Sequence, residues 1–265
     1  MNPQPTLFDL QILARQAGVY LRAGYGHMHV VHHKGDRDVV TEIDRRSEEF
    51  LLENIRRRFP GHAIVTEESG YFAGQGEACW YIDPLDGTSN YTAGLPHFSV
   101  SIAFVEKKQV QLAAIYDPLR DECFSAELGK GARLNDQPIH VSPQGNIQEC
   151  VFGTGFTYGK RDKSLTNLKN YDLFSTRALS VRRLGSAALD MSYVACGRLH
   201  GYWVVEVAPW DIAAGSLIVT EAGGVITDLA GGPNYNQPPY SFVAAGPAIH
   251  PQMLDILREA RESQG

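Results

Sequence analysis

Apolar residues recur along the N-terminal stretch at three- and four-residue intervals: Leu10, Leu13, Ala14, Ala17 and Leu21. That period predicts an amphipathic helix over residues 7 to 23, ending at Gly24 and Gly26. The next segment, residues 27 to 38, is polar and irregular and reads as a mobile loop. The helical period returns from Glu42 to Phe59, with Ile43, Phe50, Leu51 and Ile55 on the inner face, and Pro60-Gly61 stops it. Beyond this point the period shortens to two. Short strands are predicted at 62–66 and 79–82. Phe98, Val100, Ile102 and Phe104 alternate with Ser99, Ser101 and Ala103, and further strands follow at 110–116 and 122–127. Turn-rich links such as Asp117-Pro118 join them.

From about residue 146, strands and helices alternate. Strands are predicted at 151–154, 181–184, 201–205, 225–227 and 242–245, with helices at 186–196, 211–222 and 249–260. Two helices followed by a run of strands, then an alternating α/β portion, predict an α+β lobe over 1–145 and an α/β lobe over 146–265. No repeat, low-complexity tract or linker separates them, so they are expected to form one compact unit. A length of 265 residues suits one large domain or two lobes with a shared core.

Composition narrows the classes. The chain is 43% hydrophobic and 20% charged, as a water-soluble globular protein is. With 24 Lys and Arg against 30 Asp and Glu, its net charge of −6 argues against binding nucleic acid through a broad basic face. The opening residues lack a basic stretch followed by an apolar one, and no run approaches the length of a membrane span. The four cysteines, Cys79, Cys123, Cys150 and Cys196, are widely spaced and contain no C-x-x-C pair. These features predict a cytoplasmic protein with reduced thiols and no membrane contact.

The densest candidate chemistry is the stretch Trp80-Tyr81-Ile82-Asp83-Pro84-Leu85-Asp86-Gly87-Thr88-Ser89-Asn90. Asp83 and Asp86 on a tight turn can converge on one side, with the Leu85 carbonyl, and hard divalent cations take such oxygen clusters. Gly87-Thr88-Ser89 then supplies small residues whose N–H groups, at a helix start, suit a phosphate. Turn and capping chemistry alone would also account for this stretch. Two further acidic groups add to it. Glu67 and Glu68 follow an apolar strand, and Asp211 opens an apolar helix, Trp210-Asp211-Ile212-Ala213-Ala214-Gly215, although Asp is also common in a first helical turn.

The segments Val39–Asp44, Glu67-Glu68-Ser69, Asp83–Asn90 and Trp210–Gly215 occur in the order seen in the inositol monophosphatase family, and the chain resembles that family over most of its length. The resemblance extends to the Gly129-Lys130-Gly131-Ala132 turn and to Glu221-Ala222-Gly223-Gly224. It implies an α+β fold layered αβαβα, of the sugar-phosphatase type, in a homodimer that hydrolyses phosphate monoesters with Mg²⁺ and is inhibited by lithium. Carried over by position, Glu67, Asp83 and the Leu85 carbonyl would hold a first metal, Asp83, Asp86 and Asp211 a second, with a looser third ion near Glu67. Thr88, paired with Asp44, would orient or deprotonate the attacking water, so that Thr88, Asp44 and Glu67 form the catalytic set. Asp86, Gly87, Thr88, Ala187, Glu206 and Asp211 would contact substrate, and the loop at 34–38 would close over it.

One position departs from the family pattern. Members acting on inositol phosphates carry a Glu directly after the Gly-Tyr-Trp-like strand, where this chain has Val204, with Glu206 displaced by two. Two residues along a strand keep the same face, so Glu206 is expected to stand in partly. A valine accepts no hydroxyl hydrogen bond, so metal chemistry is better supported than inositol specificity. The leading expectation is hydrolysis of a small polyol or sugar phosphate, first of all inositol monophosphate. Fructose 1,6-bisphosphate, histidinol phosphate, a phosphoadenosine and NADP(H) are the alternatives. A different alternative is a regulatory partner of the transcription machinery, as the resemblance includes bacterial members with that role, without direct nucleic-acid binding. The histidines at 27, 29, 32 and 33 suggest zinc, but their spacing matches no closed structural site, and the oxygen ligands elsewhere favour Mg²⁺.

Overall fold

The computed structural model describes residues 3–27, 31–33, 39–156 and 167–262. Its five layers alternate helix and sheet. The outer layer pairs α1 (Leu7–Gly24) with α2 (Glu42–Arg58), laid on an eight-stranded sheet. That sheet runs in the order β10-β9-β8-β7-β6-β5-β3-β4. Its strands are β3 (Ala63–Thr66), β4 (Gly70–Phe72), β5 (Cys79–Asp86), β6 (Ser99–Glu106), β7 (Gln109–Asp117), β8 (Glu122–Glu127), β9 (Ala132–Leu134) and β10 (Gln137–Pro138). The short helix α3 (Thr88–Ala93) follows β5.

The middle layer holds α5 (Ala187–Ala195) and α6 (Pro209–Glu221). A five-stranded sheet of order β12-β11-β13-β15-β14 follows, and α4 (Leu168–Arg177) and α7 (His250–Glu262) cover its far side. Its strands are β11 (Val151–Gly155), β12 (Ser180–Arg182), β13 (Gly201–Val204), β14 (Val225–Thr227) and β15 (Phe242–Ala245). A separate two-stranded ladder pairs β1 (Val31–His33) with β2 (Val39–Thr41), so part of the expected 27–38 loop is strand. Lys34 to Asp38, and His29, lie outside the described residues.

The layering explains the apolar pattern. The α1 and α2 stripes bury Leu10, Leu13, Leu21, Leu51 and Ile55 against Trp80, Ile82, Val100 and Ile102 on one sheet face. Phe50, expected inside, is only partly buried at the edge of that cluster. The other face of the same sheet, with Ala103, Ala113 and Phe124, packs on α5 and α6. Burial of both faces is why β6 is covered at Ser99 and Ser101 as well as at its apolar positions, although its alternation resembles a strand with one wet face. Helix α6 is apolar on nearly every side because both sheets enclose it. It meets α5 closely: a Cβ on Gly215 would lie 2.5 Å from the Met191 sulfur. A third cluster, including Phe152, Phe174, Trp203 and Met253, closes the far side. Among the described residues no helix is long and apolar enough to cross a membrane, and all four cysteines are free thiols.

Candidate active site

Asp83 and Asp86 are three residues apart, and in a regular strand that odd spacing puts side chains on opposite faces. The structure removes the conflict with a bulge rather than the expected tight turn. Asp83 pairs with Ser101 and Asp86 with Ser99, so β5 spends three steps where β6 spends two. The extra residue turns both carboxylates to one side. There the N-terminus of α6 supplies Asp211, and oxygens of Asp83, Asp86 and Asp211 lie within 4.8 Å of one another. Asp211 stands in the first turn, where its Oδ2 accepts from the Ala208 N–H at 2.8 Å. Capping and clustering are therefore both true of this residue.

Each carboxylate of the cluster is placed by its own contacts. Asp83 Oδ1 accepts from the Leu85 N–H at 3.0 Å. Asp86 is gripped by the start of α5: Ser186 Oγ and the Ala188 N–H (2.8 Å) donate to Oδ2, and the Ala187 N–H (3.3 Å) to Oδ1. Ala187, expected at the substrate, thus directs its N–H at Asp86 while its side chain lines the cavity.

Burial pushes the Asp83 carboxyl well above the usual carboxylate range, and the neighbouring charges of Glu67, Asp86 and Asp211 push it further. Asp211 is raised well above that range by burial and then by Asp86 and Glu67. Asp86 is raised by burial against the pull of its Ser186 and Ala188 hydrogen bonds. Three crowded, dehydrated carboxylates that repel one another fit a hard divalent cation, which supplies the charge that the cluster lacks. Glu67 lies outside the tightest grouping, but its charge acts on Asp83 and Asp211, and with Asp86 and Asp211 it lines a cavity of about 640 Å³.

Beside the carboxylates stands the hydroxyl–carboxylate pair. Thr88 Oγ1 lies 3.1 Å from Asp44 Oδ1 and 3.1 Å from the Leu85 carbonyl. Asp44 is buried at the start of α2, where Thr41 caps the helix. Asp44 Oδ2 accepts from the Thr41 N–H (2.9 Å) and Thr41 Oγ1 (2.6 Å). Burial raises the Asp44 pKa, and its hydrogen bonds from Thr41 and Thr88 only partly oppose that. Gly87 precedes α3 with φ of 97°, a left-handed conformation that glycine adopts without strain. A Cβ there would approach the His97 carbonyl oxygen to 3.0 Å. Asn90 fixes the same helix by donating to the carbonyls of His97 and Leu184, both at 2.7 Å. First-turn N–H groups of a helix have no acceptor within the helix, so those of α3 lie beside the acidic cluster with hydrogen-bonding capacity to spare.

The far wall of the cavity includes Phe156, Arg183, Tyr202, Val204, Glu206 and Val207. Strand β13 stops at Val204, and Glu206 lies beyond it with φ of 59°. The expected same-face relation of the two residues therefore does not apply, because the strand ends between them. Glu206 reaches the cavity by this turn, which its N–H bond to Ser241 Oγ (3.0 Å) holds. His32 and His33 lie on β1 and His27 is exposed, remote in sequence from the acidic cluster.

Several contributors went unnoticed in the sequence. Ser186 and Asp190 are helix residues with no distinctive spacing, and Arg183 sits in a short link. Asp190 lines the cavity 3.4 Å from His97 Nε2, and burial raises its carboxyl to about 6. Thr41 was recoverable, since Thr-x-x-Asp ahead of an apolar period marks a helix start.

Fold and site define a five-layered α+β protein whose buried acidic centre suits a hard cation. The chain belongs to the inositol monophosphatase family, whose family model matches residues 3–262. It is 42% identical over 262 residues to the Pasteurella multocida protein named Nus factor SuhB, with 97% of both chains covered. Among solved structures, it is similar to inositol monophosphatase from Anabaena (TM-score 0.87, 37% identity, 96% of this chain and 95% of that one). It is also similar to the extragenic suppressor protein suhB from Bartonella henselae (TM-score 0.91, 33% identity, 96% and 98% covered).

Proposed function

We propose that the protein is a Mg²⁺-dependent phosphomonoesterase acting on a small polyol or sugar phosphate, with inositol monophosphate as the first candidate. The observation that carries this reading is the convergence of Asp83, Asp86 and Asp211 within 4.8 Å, beside the Thr88–Asp44 pair. Family membership and the likeness to the Anabaena inositol monophosphatase support it.

Glu67, Asp83 and the Leu85 carbonyl would hold a first ion, and Asp83, Asp86 and Asp211 a second. An ion held there would supply Lewis acidity to the ester phosphate and to a nearby water. Thr88 donates its hydroxyl proton toward Asp44 and the Leu85 carbonyl, which leaves an oxygen lone pair to accept from a water molecule. Asp44, its pKa raised by burial, is the eventual proton acceptor through Thr88. The Gly87 and Thr88 N–H groups orient the phosphate, while Ala187, Glu206 and the Val204 wall face the alcohol. Val204 cannot accept from a sugar hydroxyl, so fructose 1,6-bisphosphate, histidinol phosphate, a phosphoadenosine and NADP(H) belong in the same test. Phosphate release from this panel, with Mg²⁺ and with a chelator, tests the reading. No metal-dependent release from any member would refute it. The family resemblance implies a homodimer, to be checked by sedimentation, and the cytoplasm is the proposed location.

A second reading is favoured by the name of the 42% identical relative, Nus factor SuhB: a partner role in transcription. It predicts retention of transcription-complex components by the wild-type protein and by an Asp83→Asn variant alike. Failure of both proteins to retain any component would remove it.

A further inference from the structure

Helix α2 buries an unusual polar face. Beside Asp44, Ser47 Oγ donates to the Pro84 carbonyl at 2.9 Å, inside the β5 bulge. One turn beyond Asp44, next to Ser47, stands Glu48, which is 3% exposed. Its Oε1 accepts from Thr66 Oγ1 (2.6 Å), the Glu68 N–H (3.2 Å) and the Ser69 N–H (3.1 Å), and its Oε2 accepts from Ser69 Oγ (2.5 Å). All four donors are neutral, and all belong to the turn joining β3 to β4, in which Thr66 pairs with Gly70. A buried carboxylate is costly to dehydrate, and here four hydrogen bonds, two of them short, offset that cost. Within the turn Glu67 is skipped. Its neighbours on both sides are fastened to Glu48, while its side chain lines the cavity and its charge acts on Asp83 and Asp211.

We infer that Glu48 is a positioning residue for the cation centre: it clamps the 66–69 turn so that the Glu67 carboxylate is held at the cluster. This rests on the proposal that the centre binds Mg²⁺. Groups that orient a ligand without touching the ion commonly control affinity about as strongly as some ligands do.

The test is calorimetric titration of the apoprotein with Mg²⁺, which needs no turnover, across wild type, Glu48→Gln, Glu67→Gln and the double variant. Glu48→Gln is expected to weaken Mg²⁺ binding roughly 10- to 100-fold. In the Glu67→Gln background the same change is expected to cost less than about twofold, since the residue acts through Glu67. Ser69→Ala removes one of the four clamps from an exposed position and is expected to give a smaller loss in the same direction, so a poorly folded Glu48 variant leaves the idea testable. Equal losses in both backgrounds, or unchanged affinity in Ser69→Ala and Glu48→Gln, overturn the role of Glu48 while leaving the Mg²⁺ centre intact. Wild type that takes up no Mg²⁺ overturns the centre itself and this inference with it.

Discussion

Thr88 Oγ1 stands 3.1 Å from Asp44 Oδ1, joining the residue after the β5 bulge to the first turn of α2. Under the proposed reaction this pair takes the proton of the attacking water. Thr88→Ala is expected to lower kcat about 10²- to 10⁴-fold, with KM changed little. Thr88→Ser, which keeps the hydroxyl, is expected to recover much of the rate. Steady-state kinetics on the best substrate of the panel decide it; a large rise in KM with normal kcat would assign Thr88 to binding instead.

Val204 lines the cavity, at the position where the family resemblance implies a carboxylate meeting a substrate hydroxyl. Val204→Glu is expected to improve kcat/KM for inositol monophosphate relative to other esters by roughly tenfold, the worth of one hydrogen bond to a charged group. Measured selectivity that does not move would mean that the position makes no substrate contact.

Ser186 Oγ both donates to Asp86 and accepts from the Leu189 N–H at 3.3 Å, so it caps α5 and steadies a carboxylate of the cluster. Ser186→Ala removes both bonds and is expected to destabilise the fold by about 1–3 kcal/mol. Urea unfolding in the presence of chelator provides the measurement, and an unchanged midpoint would contradict the assignment.

The raised carboxyls set the direction of the pH response. Asp83, Asp86 and Asp211 have folded pKa values above their unfolded ones, so the metal-free native state holds the extra protons between those limits. Stability is then greatest below the unfolded value and falls as pH rises through the folded ones. Asp190, raised to about 6, acts in the same sense. Mg²⁺ requires the ionised ligands and reverses the trend. Thermal melts in chelator are expected to show these residues' contribution shrinking as pH rises above the unfolded carboxyl range, and the Mg²⁺-induced gain in Tm is expected to be larger at the higher pH. Substituting Asp83→Asn should flatten both trends; an unaltered profile would exclude this cluster as their source.

The long elements were readable from the chain: α1, α2, α7 and the strands β5 to β8 carry stripes or alternation that burial enforces, and α6 is a continuous apolar run. Short elements were read unevenly: β3, β12, β13, β14 and β15 were predicted, whereas α4, β4, β9 and β10 were not. Helix α4 buries only Asn170 and Phe174, too few positions to display a period, and β4 has three residues. The β9–β10 hairpin turns on Asn135 and Asp136, both with positive φ, a signal that residue type alone left faint. At the site, the motif residues Asp83, Asp86 and Asp211 were legible because each occupies a distinctive local setting. The bulge that aligns the first two was not, since it depends on how β6 pairs. Ser47 and Glu48 were hidden for a related reason: their partners lie at Pro84 and in the 66–69 turn, and a helix sequence does not say what its polar face will meet.

Asp86 comes from the first sheet, its fastening at Ser186 and Ala188 from the start of α5, and Asp211 from α6 further along the chain. A ribosome-bound chain can therefore complete the large sheet while its acidic centre is still half built. Until α6 emerges, Asp83 and Asp86 stand without their third companion, and until α5 docks, Asp86 has no fixed direction. The acidic centre is thus complete only after the middle helices have closed between the two sheets.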